Sequence, residues 1–101
     1  MNARELSESA VAGGSPPPGL SRELESLWLL RAGRWDAAHE VAQDIHTATG
    51  SWIHGLLHLI EGDISNARYW YARAGRSSSF PDDADREWLR IAEHVLGSGH
   101  S

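Results

Sequence analysis

Apolar residues recur at helical spacing along most of the chain, and no segment alternates apolar and polar for long, so the pattern predicts helices and no strands. From residue 20 onward it resolves into five helices. Ser21 is placed to cap the first, whose apolar side is Leu24, Leu27, Trp28 and Leu30 and whose end is Gly33. The second covers about residues 35–46 and turns Ala38, Val41, Ala42 and Ile45 inward. Gly50 separates it from a third, capped by Ser51 and reaching Glu61. Gly62 breaks that helix, and Asp63 caps a fourth that continues to Ala74 and stops at Gly75. A Ser-rich loop over residues 77–81 leads to Asp82, the expected cap of a fifth helix that carries Trp88, Ile91, Ala92 and Val95 on one stripe. Short loops make successive helices antiparallel neighbours. The third helix is apolar nearly all round, apart from His54, Gly55, His58 and Glu61, which predicts a central, buried position.

Residues 1–19 hold few large apolar side chains and end in a Gly- and Pro-rich run, Gly13 to Gly19, so they are expected as a flexible or extended segment. Residues 20–97 are expected to form a single helical domain and residues 98–101 to fray. The expected class is all-α, about five antiparallel helices.

A shift of 29 residues lays Gly33-Arg34-Trp35-Asp36-Ala37-Ala38 over Gly62-Asp63-Ile64-Ser65-Asn66-Ala67, and Leu27 and Leu30 over Leu56 and Leu59. In the second copy the pattern continues through Tyr71 and Ala74. These positions resemble the tetratricopeptide and Sel1-like helical-repeat families, in which small residues let paired helices approach and an aromatic fills the gap beside them. The resemblance implies helical hairpins over about residues 20–96. The period is shorter than the ~34 residues of a tetratricopeptide repeat, His54 and His58 stand where that family carries Leu and Tyr, and a closed helical cluster is the alternative architecture. The segment Ala37-Ala38-His39-Glu40 after its Gly turn is also similar to small uncharacterised bacterial helical proteins, and implies no activity.

In the repeat frame Leu27, Leu30, Trp52, Leu56 and Leu59 line a concave apolar surface, and the adjacent Tyr69, Trp70 and Tyr71 spread too far around their helix to enter one core. Apolar area of this extent must be covered by the last helix, the N-terminal segment, a second copy or a partner. The resulting expectation is a non-enzymatic, cytoplasmic interaction module that self-associates as a homodimer without a cofactor, using Leu27, Leu30, Trp52, Leu56, Leu59, Tyr69 and Trp70.

Spacings of four and three put His54, His58 and Glu61 on one helix face. Two imidazoles one turn apart can share a divalent transition metal, and a carboxylate one turn further can complete the set. An antiparallel second helix can bring His39, Gln43 and His46 to the same side. The alternative function is therefore a small metal- or ligand-binding protein centred on His54, His58 and Glu61, with His39 as a further ligand. Against it stands a simpler account, in which the two histidines pack at the edge of the core near Ala67 and Tyr71.

Composition narrows the remaining choices. The chain of 101 residues has no Cys, which excludes disulfides, thiolate metal sites and Cys nucleophiles. Its net charge is -5 and its nine basic residues are all Arg, which argues against a nucleic-acid partner. No apolar run reaches the ~20 residues that span a bilayer, so no membrane partner is expected. Phosphate-loop, dinucleotide and Ser-nucleophile signatures are missing, and His39-Glu40 lacks the second His of a zinc-protease motif.

Overall fold

The computed structural model describes residues 1–76 and 83–97. Among these the chain forms six α-helices and no strand: α1 Ala3–Ala12, α2 Arg22–Arg31, α3 Trp35–Gln43, α4 Ala48–Glu61, α5 Ile64–Arg73 and α6 Ala84–Gly97. The expected Asp82 cap lies outside the described residues. Asp83 Oδ1 accepts from the backbone N–H of Asp85 at 2.9 Å and caps the opening turn of α6.

The N-terminal segment departs from expectation. Asn2 and Glu5 form a reciprocal capping box that starts α1. Ala3, Leu6 and Ala10 then fall on one buried stripe, with Leu6 fully enclosed. Two side-chain bonds fasten the helix to α2: Trp28 Nε1 donates to Ser9 Oγ at 3.1 Å and Arg31 Nε to Ser7 Oγ at 2.9 Å. A low average of large apolar residues hid one well-placed leucine with small neighbours one turn on either side.

The helices α2/α3 and α4/α5 are hairpins in the same register. In the first, Ser26 Oγ donates to Ala38 O at 2.9 Å. In the second, Gly55 occupies the position equivalent to Ser26, and a Cβ there would overlap the Tyr71 ring and approach Ala67 O within 3.4 Å. Both hairpins therefore use a small residue to let two backbones close together.

The start of α4 also differs from expectation. Thr47, not Ser51, is the cap, its Oγ1 accepting from Gly50 N–H at 3.0 Å. Gly50 lies inside the helix, where a Cβ would stand 2.5 Å from the Ile45 side chain and 2.6 Å from its carbonyl. The glycine serves close approach rather than helix breaking, and α3 correspondingly ends at Gln43.

Helix α4 is central, as its apolar circumference predicts: residues 50–57 are all buried, and it packs against α2, α3, α5 and α6. Helix α6 crosses α2 and α4, where Trp88 Nε1 donates to Leu27 O at 2.8 Å. The buried Glu87 accepts from Trp52 Nε1 and Tyr71 O–H, each at 2.9 Å, and from Arg90 Nη1 at 3.1 Å. This carboxylate ties α4, α5 and α6 together, and its burial is compensated by donors from all three. Leu27, Trp52 and Leu56 are consequently core residues, and Leu30 and Leu59 are partly buried against the same core. Of the aromatic run, Tyr71 is buried, Trp70 half-buried and Tyr69 exposed. Among the described residues no helix is long and apolar enough to cross a membrane.

Candidate metal centre

His39 sits in the middle of α3. His54 and His58, one turn apart on α4, face it across the α3–α4 interface, with α5 closing the other side of His54. His39 Nε2 and His54 Nε2 are 3.0 Å apart. The His39 ring stands edge-on to both neighbours, at centroid distances of 4.6 Å to His54 and 5.4 Å to His58. His54 and His58 are stacked at 5.0 Å. One ring nitrogen from each of the three lies within 4.8 Å of the others.

Two tryptophans wall this cluster. Trp35 stacks on His39 with 9° between the planes and is itself anchored by its Nε1–H donating to Leu57 O at 2.9 Å. Trp70 stacks on His54 at 3.9 Å, also at 9°. Such ring contacts fix the imidazole planes, the kind of rigid support a metal site needs.

The proton arrangement is short and self-consistent. Gln43 Nε2 donates to His39 Nδ1 at 2.9 Å. His39 must then carry its proton on Nε2 and donate it to His54 Nε2. A half-turn of the Gln43 amide would let its oxygen accept from His39 Nδ1–H, which frees the Nε2 lone pair for a ligand bond. Gln43 is thus placed to set the His39 tautomer from outside.

Burial lowers the pKa of His54 to about 4, and the neighbouring His39 and His58 add to the effect. Burial, then His58, lowers that of His39, against a smaller opposing pull from Glu61 and Asp36. Both rings are neutral near pH 7, the form that donates a lone pair to a metal.

His58 Nδ1 is buried with no hydrogen-bond partner, an arrangement that is uncommon and destabilising unless something else meets the atom. Glu61 Oε1 and Asp63 Oδ2 are each 3.9 Å away, beyond hydrogen-bond length. Glu61 is exposed at the rim, while Asp63 arrives there because the left-handed turn at Gly62 folds the chain back over the end of α4.

The sequence-predicted trio of His54, His58 and Glu61 is thus brought together, with the carboxylate at the rim. His39 joins the two imidazoles directly. Gln43 follows His39 into the site, whereas His46 lines a neighbouring cavity. The aromatic against His54 is Trp70 rather than Tyr71, which is taken up by Gly55. Trp35, Trp70 and Asp63 were not foreseen as parts of the site. Trp35 lies one turn before His39 on α3, a spacing that could have signalled the stack.

Three imidazoles and no thiolate suit a divalent first-row metal, with a fourth coordination position left over. Ligand nitrogens around a tetrahedral zinc are about 3.3 Å apart, as bonds of about 2.05 Å require. The His39–His54 separation is within a few tenths of an ångström of that edge. The widest pair needs one side chain to swing inward. No known protein family, curated protein or solved structure matches the chain, so the reading of this site rests on its own geometry.

Proposed function

We propose that the protein binds a divalent transition-metal ion through His39, His54 and His58. The observation that carries the reading is the convergence of three ring nitrogens within 4.8 Å, contributed by two helices and held between two tryptophans. The neutral imidazoles of His39 and His54 supply lone pairs, and Glu61 and Asp63 at the rim offset the ion's charge. The unpartnered Nδ1 of His58 supports the same reading, since packed core histidines are normally satisfied.

Self-association as an interaction module draws on less. Of the apolar surface that motivated it, Leu27, Trp52 and Leu56 are buried in the core of the same chain, whereas Tyr69 stays exposed. The shared register of the two hairpins supports a tetratricopeptide-like ancestry for residues 20–76 without implying a partner.

The test is a calorimetric titration of metal-free protein with zinc. Wild-type protein is expected to take up one ion per chain, and His39→Ala and His58→Ala to abolish stoichiometric uptake while keeping the helical circular-dichroism signal. Gln43→Ala, which removes only the group that sets the His39 tautomer, should weaken binding about tenfold. Equal, weak uptake by wild type and both histidine variants would leave the imidazoles as packing residues.

A further inference from the structure

Beside the histidines, a half-open cavity of about 260 Å³ lies between the α3–α4 connection, the first turn of α4 and the end of α5. His54 is its common wall with the cluster. Three observations give this cavity a chemical preference.

The first is charge. The chain has fourteen Asp and Glu residues, yet none of the described ones lines the cavity, whereas Arg73 does. The surface hollow around Arg22 provides the contrast, because its cation is met by Glu25 at 3.0 Å and Asp44 at 3.7 Å. Arg73 has no ion-pair partner among the described residues. The second observation is that its guanidinium is positioned without being neutralised. It lies 5.3 Å from the Trp70 ring centroid and 5.9 Å from that of Tyr69, and Nη1 donates to Tyr69 O–H at 3.1 Å. Those neutral contacts leave most of the guanidinium donors unused. The third is the mixed lining: Ile45, Ala48 and Trp70 supply apolar wall, and Gln43 and Ser51 supply polar groups.

We propose that this cavity binds a small organic carboxylate, with its carboxylate on Arg73 and its apolar body against Ile45, Ala48 and Trp70. Arginine pairs with a carboxylate through two parallel hydrogen bonds, which fixes orientation as well as charge. At about 30 Å³ per water, the volume holds a ligand of roughly eight to nine non-hydrogen atoms. A bare inorganic oxyanion would leave most of that space and the apolar wall unused. The inference goes beyond the metal reading and does not depend on it.

The experiment is a nitrogen-15 NMR titration of the full chain with butyrate, benzoate and inorganic phosphate, run on metal-free and zinc-treated protein. Saturable benzoate shifts confined to the amides of residues 43–51 and 70–73 in the metal-free protein are expected. Arg73→Gln should weaken that binding on the order of tenfold to a hundredfold. The proposal is overturned if no carboxylate binds at millimolar concentration, if Arg73→Gln binds as well as wild type, or if phosphate binds more tightly than either carboxylate. Binding seen only with zinc would also overturn it, since the carboxylate would then be a ligand of the metal. Arg73-dependent benzoate binding by a protein that takes no zinc would sustain this inference and remove the metal reading.

Discussion

At the scale of single residues, the site depends on the His39 and His54 imidazoles, which the fold keeps neutral. Unfolding releases His54 to its ordinary pKa of 6.5, whereas the folded chain holds it at about 4. The unfolded state therefore binds more protons between those values, so stability is full above pH 6.5 and falls as the pH drops toward 4. His39 acts in the same direction. The loss from His54 is at most about 3 kcal/mol in metal-free protein, and urea unfolding across this pH range should record it. His54→Gln should flatten the slope; an unchanged slope would mean that another group is responsible. The glycines make a second prediction at this scale. Gly55→Ala forces a methyl into the Tyr71 ring, at a cost of about 1–3 kcal/mol. The same change at Gly50 drives a methyl into the Ile45 side chain and carbonyl, and thermal melts should show both variants destabilised despite alanine's better helix propensity.

At the scale of elements, α1 was the least legible part of the chain and α4 the most. The apolar circumference of α4 announced its central place, and the spacing of His54 and His58 announced that they share a face. The capping box at Asn2 and Glu5 was present in the sequence, but Leu6 is the only large apolar side chain on its buried stripe. What buries it is the surface of α2 and α6, which no local pattern records. The same holds for the metal centre. That His39 meets His54 depends on where the α3–α4 turn falls, and the residues reaching the cluster from outside, Trp35, Trp70 and Asp63, are set by how hairpins stack. Leu6→Ala should destabilise the protein by about 2–4 kcal/mol. Deleting residues 1–12 should uncover the apolar surface that α1 hides, seen as exposed-apolar dye binding and self-association in light scattering. A truncated chain that stays monomeric and binds no dye would contradict the role given to α1.

At the scale of the molecule, the helices divide their tasks. Helices α1 and α6 enclose apolar surface that two hairpins alone would leave bare, and the buried Glu87 fixes α6 against α4 and α5. That enclosure leaves α3, α4 and α5 to present the histidines and the Arg73-lined cavity of an otherwise acidic chain. An ion held jointly by α3 and α4 would stabilise the folded state by mass action, so its effect belongs to the whole domain. The most direct test of the metal centre is the metal content of untagged protein purified without immobilised-metal resin, measured by mass spectrometry beside the His54→Ala/His58→Ala double variant. One transition-metal ion per wild-type chain, lost in the double variant, is the predicted result. Wild-type protein that carries no metal and takes up none from added zinc, nickel or manganese would contradict the account and leave the three histidines as a packed aromatic stack.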